Sequence, residues 1–185
     1  MLFKVLDENG HSCNGGDATW PLPEDGKPGE WMPAIQELTP CNSGYHLVRA
    51  GGLLDWLGPR IWVAEGRGAH VHKDEHVEAY ESARLVQATA WNDHKARLLA
   101  CEYAERVLPL FEKKYPDDKR PRKAIEMAKM YAGGHVSAEG LVAARAAARD
   151  AAGAAAGAAA RDAAWDAARD AQSRRLYRMI MEERK

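Results

Sequence analysis

A chain of 185 residues, 46% of them hydrophobic, is long enough for one domain or two small ones. Its formal charge of −1 conceals an asymmetry: residues 1–90 carry 7 Lys and Arg against 13 Asp and Glu, and residues 91–185 carry 19 against 14. The second half is too mildly basic to argue for nucleic acid, and three cysteines, few and odd in number, argue against a disulfide framework and for a reducing cytoplasm.

The opposite charges let the two halves attract each other or face different partners. No basic and apolar leader opens the chain, so no signal peptide is expected. The longest uncharged run of the Ala-rich stretch, Ala151 to Ala160, falls well short of the ~20 residues of a membrane span.

In chain order, Leu2 to Leu6 alternates and ends at Asp7-Glu8-Asn9-Gly10, a short strand and a turn. His11 to Glu30 is rich in Gly, Pro, Asp and Glu and reads as a long loop anchored by Trp20 and Trp31. Trp31 to Leu38 reads as a short strand or extended segment, and Thr39 to Gly44 as a turn. Tyr45 to Arg49 is a strand. Gly51-Gly52 opens a short helix over Leu53 to Leu57, closed by Gly58-Pro59. Arg60 to Glu65 and Glu78 to Gln87 are further strands, the second with strict alternation.

From Trp91 the period becomes helical. Leu98, Cys101, Ala104, Glu105, Leu108 and Phe111 share one face, and that helix ends near Tyr115-Pro116. Asp117 or Asp118 caps a second helix with Pro121 in its first turn, an inner face of Ile125, Ala128 and Ala132, and a stop at Gly133-Gly134. Ser137 then caps an Ala-rich helix. Within it Arg145, Arg149, Gly153, Gly157, Arg161, Trp165 and Arg169 recur every four residues. Alanine is the best helix former, while each glycine costs about 1 kcal/mol in a helix interior. An unbroken helix from Ala138 to Glu183 would span about 69 Å, so a break is expected between Gly153 and Ala160. Beyond it, Trp165, Leu176, Met179 and Ile180 share one side. The expected class is α+β: a small mixed or antiparallel β module over residues 1–90, then an Ala-rich bundle of three or four helices over residues 91–185. Its methyl faces bury little area, and a homodimer is one way to cover them.

Candidate chemistry is sparse. Cys41 and His46, with Cys13 and His11, have the donor types of a metal site but lack a Cys-x2-Cys pair. The ordinary reading is a small cysteine and a hydrogen-bonded strand histidine. His70 and His72 share a strand face with His76 nearby, which suits a metal or a pH sensor, yet Lys73, Asp74 and Glu75 mark a solvated loop. Glu65, Glu78, Glu81 and Arg49 have the residue types of a carboxylate–arginine site, and Arg49 or His46 with Glu65 or Glu81 those of an ADP-ribosyltransferase-like one, without any nucleotide-binding pattern to support it. No Ser-His-Asp arrangement, phosphate loop or redox cysteine pair is visible. No cofactor is expected, and the metal candidates Cys13, Cys41, His46, His70 and His72 rank below their structural reading.

Binding is better represented. Lys113, Lys114, Lys119, Arg120, Arg122 and Lys123 flank one helix junction and suit an acidic protein, or the chain's own acidic half, better than phosphates, because Asp117 and Asp118 lie among them. Trp165 between Arg161 and Arg169 has the composition of an interface hot spot, although a core-filling role is the commoner one for a lone tryptophan among alanines.

Two stretches resemble known families. Phe3-Lys-Val-Leu, Ser12-Cys13-x-Gly15-Gly16, Trp31-Met-Pro33, Cys41-x-x-Gly44-Tyr45-His46-Leu47 and Leu53-x-x-Trp56-Leu57-Gly58-Pro59-x-Ile61-x-x-Ala64-Glu65 resemble a domain of unknown function common in bacterial and phage-borne proteins. Arg97-Leu-x-Ala100-Cys101-x-x-Ala104-Glu105-x-Val107-Leu108-Pro109-x-Phe111 and Pro116-Asp-Asp-x-Arg120-Pro-Arg-x-Ala124-Ile-Glu126, followed by the Ala-rich helix, resemble a family of immunity proteins of polymorphic-toxin systems. That resemblance implies a non-enzymatic cytoplasmic protein that neutralises a toxin or effector protein by occupying its surface. Two other readings stay open at this point: a phage-encoded anti-defence inhibitor, such as an anti-CRISPR, and a small enzyme or ligand-binding module in residues 1–90 with the helices as oligomerisation arms.

Overall fold

The computed structural model describes residues 1–143 and 163–182, with side chains of the second stretch from Arg169 onward. The class is α+β: a four-stranded antiparallel sheet in the first ninety residues, then helices. The strands are β1 (Leu2–Leu6), β2 (Tyr45–Arg49), β3 (Arg60–His72) and β4 (Val77–Ala88), and a 3₁₀ helix (Ala50–Trp56) follows β2. The helices are α1 (Asp93–Lys114), α2 (Arg120–Ala132), α3 beginning at 138 and α4 (Ala163–Met181). The chain forms two compact units, one within Met1–Asn92 and Ala167–Lys185, the other within Asp93–Asp166.

In the first unit the strands close into a barrel in the order β1-β2-β4-β3, every pair antiparallel. β1 covers β3 only along Arg60–Ala64, so beyond Ala64 β3 is paired on one side alone, with β4. β3 and β4 form a long hairpin that runs past the end expected at Glu65 and reaches His72. Two glycines make this possible. A Cβ at Gly66 would meet the Tyr80 ring at 2.2 Å, so only glycine lets that ring cross the strand. Gly68, at φ +79°, sits in a register shift where the Glu81 carboxylate accepts the Ala69 N–H at 3.0 Å.

The barrel core joins Leu6, Tyr45, Leu47, Ala64, Ala83 and Leu85 to Trp20 and Met32 from the long loop. Trp20 is buried, as an anchor should be; Trp31 is half-buried, with the guanidinium groups of Arg67 and Arg84 over its ring at 4.2 and 4.5 Å. Trp31 to Leu38 is an extended segment and no strand. The amides of Gly29, Met32 and Ile35 donate to the carbonyls of Leu85, Ala83 and Glu81 along β4, and Pro33 interrupts any regular ladder.

The last helix belongs with this unit. Leu176, Met179 and Ile180 are buried, the Ala90 amide donates to the Ile180 carbonyl at 2.8 Å, and Tyr177 meets Phe3 edge-on at 6.2 Å. The spacing that groups these residues on one face is visible in the sequence; that the face meets a barrel is not.

In the second unit α1 and α2 pack together through small residues. α3 starts where Ser137 Oγ accepts the Gly140 amide at 3.4 Å. The expected break between Gly153 and Ala160 lies outside the described residues. Among those that are described, no helix is long and apolar enough to cross a membrane.

Candidate partner-binding surface

α1 and α2 approach closely because alanine recurs at i, i+4 and i+8. Ala96, Ala100 and Ala104 on α1 face Ala124 and Ala128 on α2 across an open groove of about 530 Å³. Leu108, Phe111, Ile125 and Leu141 complete an apolar floor. Two residues of α1 stand out as large and exposed: Val107, on the groove itself, at 59%, and Leu110 at 73%. Leu99, rather than its neighbour Leu98, is the buried leucine of the first turns.

The basic junction lies at the end of the groove that Phe111 and Pro121 line. Its charges are not equivalent. Arg120 grips Asp118 with two nitrogens at 2.9 and 2.6 Å, and this guanidinium, with the Arg120 amide, pushes the Asp118 carboxyl down to about 2. The N-cap of α2 is Lys119, not Asp117 or Asp118, and its side chain makes no cap hydrogen bond; Asp118, one residue earlier, accepts the Arg120 amide at 3.1 Å. Arg122 holds Glu112 in the same bidentate manner at 2.8 and 2.7 Å and keeps its carboxyl below the usual carboxylate range. These two pairs brace the α1–α2 turn. Lys113, Lys114, Lys119 and Lys123 remain exposed around it. The junction thus presents lysines outward while its arginines hold the turn.

The other named residues fall elsewhere. Arg169 pairs with Asp55 of the 3₁₀ helix, inside the barrel unit, so it is not part of the junction. Arg161 lies outside the described residues, as does the side chain of Trp165. His46 lines a barrel cavity together with Cys13 and Cys41, but its Nε2 accepts the Cys41 amide at 3.0 Å, which takes the lone pair a metal would need. His70 stacks on Tyr80 at 5.0 Å, and His72 Nδ1 stands 3.9 Å from Glu78. Among the described residues no group of three or more His, Cys, Asp and Glu is placed to hold a metal ion.

The carboxylate–arginine candidates of the barrel satisfy one another. Glu78 accepts from Arg49 Nε at 2.7 Å, from Arg49 Nη2 and from the Tyr80 hydroxyl. Burial alone would raise its carboxyl; Tyr80 and Arg49 outweigh burial and hold it below the ordinary range. The same burial and the facing carboxylate push the Tyr80 phenol up to about 12. Glu65 pairs with Arg84, and Glu81 caps the bulge. Each carboxylate thus already has a protein partner.

Residues 88–170 match a protein-family model described as "Imm-5 like putative immunity protein". No curated protein and no solved structure matches the chain. The family match covers the helices that build the groove and the junction. It does not reach the residues that resemble a domain of unknown function. Sequence spacing named the junction lysines but missed Val107 and Leu110. Val107 lines the groove and Leu110 is exposed, and an exposed hydrophobe has no signature until the fold shows which face is covered.

Proposed function

We propose that the chain is a non-enzymatic immunity-type protein. It neutralises a toxin by covering part of the toxin's surface with its helical unit. The observation that carries the reading is the coincidence of the immunity-family match with the unit that holds an open apolar groove and a lysine-rich end. The partner's chemistry follows from the surface. The groove takes apolar side chains, and Lys113, Lys114, Lys119 and Lys123 take carboxylates beside them, so the occupant is an acidic toxin segment with apolar anchors. The barrel carboxylates support the non-enzymatic part of the reading, since Glu65, Glu78 and Glu81 each already engage a protein partner.

The test is growth rescue. A toxin domain recovered with the tagged full chain is co-expressed with wild type, with Val107→Asp and with the double variant Lys119→Glu, Lys123→Glu. Wild type is expected to restore growth, and each variant to lose protection while keeping its thermal transition. A burial-driven anchor and a pair of charge contacts are each worth about 2 kcal/mol or more, roughly thirty-fold in affinity. Undiminished protection by both variants would remove this surface from the interface. Unchanged toxicity with wild type present at equal or higher level would remove the immunity reading for this pair.

A further inference from the structure

The barrel unit contains a cavity that the helical interface does not use. It measures about 170 Å³ and is lined in part by Phe3, Lys4, Cys13, His46, Trp56 and Lys73. Two lysines line it, and no Asp or Glu does.

Lys4 is the unusual member. It is half-buried on β1, where its Nζ donates to the His46 carbonyl at 3.3 Å and sits 4.9 Å from the centre of the Trp20 ring. Among the described residues no carboxylate pairs with it. Desolvation pushes its ammonium down to about 8, and the neighbouring Cys13 thiol offsets this only in part. Lys73 lies with its Nζ 4.7 Å from the Trp56 ring centre, again on a π face and not on an acid. Both lysines are close enough to His46 to add to the effect of burial in lowering its pKa. A desolvated cation normally acquires a counter-ion, because burial of an unpaired charge is costly. Here two ammonium groups and a neutral imidazole border one space whose remaining wall, with Phe3, Val48 and Trp56, is apolar.

We propose that this cavity binds a small organic anion, an apolar body carrying a phosphate or carboxylate group held by the ammonium groups of Lys4 and Lys73. The site lies in the other unit from the toxin surface and does not depend on it.

Pyridoxal 5′-phosphate tests the proposal directly on the full chain. Its aldehyde condenses with an unprotonated amine to an imine with release of water, and added borohydride reduces the imine to a stable secondary amine. Peptide mass mapping then reads the site of labelling. Lys4 is expected to label well ahead of exposed lysines such as Lys113 and Lys119. Excess phenyl phosphate or benzoate is expected to protect it, the stronger protector telling phosphate from carboxylate. Lys73→Gln, in the exposed hairpin turn, is expected to keep the thermal transition and slow labelling of Lys4 roughly ten-fold, the equivalent of one charge contact. Labelling spread over exposed lysines, labelling of Lys4 that neither anion reduces, or an unchanged rate in Lys73→Gln would each overturn it.

Discussion

Glu78 and Lys4 lie on the same barrel with opposite electrostatic fates. Glu78 is almost fully buried but bound by Arg49 and Tyr80. Glu78→Gln leaves a guanidinium facing an amide, and a loss of about 2–3 kcal/mol in urea unfolding is expected; the half-exposed Arg49 keeps it below the figure for a fully buried pair. Because the Glu78 carboxyl is held low, its contribution is present above the unfolded pKa and fades as pH falls through the folded one. Lys4 runs the other way. Its folded pKa of about 8 lies under the ordinary lysine value of 10.5, so between these values the unfolded chain binds more protons and stability rises with pH. The full gain is on the order of 3 kcal/mol, an upper bound because the cavity gives the ammonium some access to water. Urea midpoints from pH 8 to 10.5 should climb for wild type relative to Lys4→Met. Parallel curves would mean that Lys4 is not desolvated. Residue types alone suggest a carboxylate–arginine site that includes Arg49 and Glu78, but not the burial behind either fate: Arg49 lies 29 residues from Glu78, and the His46 carbonyl that takes Lys4 lies 42 residues from it.

Among the elements, α4 shows how far periodicity reaches. Leu176, Met179 and Ile180 recur at helical spacing, so their face is legible, but the same pattern serves a bundle or a barrel. Only its tertiary contacts choose: the Ala90–Ile180 hydrogen bond, the Phe3–Tyr177 ring contact and the Arg169–Asp55 pair. These contacts are unequal. Leu176→Ala is expected to cost about 2–5 kcal/mol, because the side chain is fully buried. Arg169→Ala removes a largely exposed ion pair and should cost less than about 1 kcal/mol. Chemical denaturation of the two variants compares them; equal losses would mean that α4 is held by charge and not by packing. β3 carries the complementary lesson. Arg60 to Glu65 reads as a strand because its residues favour one, and Gly66 and Gly68 then look like its end. They are instead the places where Tyr80 crosses and the register shifts, so Gly66→Ala should lose about 1–3 kcal/mol through overpacking against Tyr80. The turn before α2 is legible in part: Pro121 falls in the first turn as its fixed φ favours, while the cap falls on Lys119 and Asp118 reaches the Arg120 amide from one residue earlier.

At the scale of the whole molecule, charge and fold divide the chain at different places: the basic second half of the sequence includes Ala167–Lys185, which belongs to the same unit as the acidic barrel strands. Composition alone left that basicity diffuse. The structure concentrates it, since Arg120 and Arg122 are engaged by Asp118 and Glu112 while the lysines of the same turn face solvent beside an apolar groove. A surface of that kind should bind quickly at low salt and more slowly as salt rises, with the dissociation rate set mainly by the apolar anchors. Stopped-flow association at two ionic strengths separates the two effects, and Lys119→Glu, Lys123→Glu should act chiefly on the on-rate. The most direct measurement is hydrogen–deuterium exchange of the full chain, free and bound to the toxin domain recovered with it. Protection is expected over α1 and the start of α2, from Val107 to Lys123, with the barrel strands unchanged. Protection confined to the barrel, with the α1–α2 groove exchanging as in the free chain, would contradict the assignment of the helical unit as the toxin-binding surface.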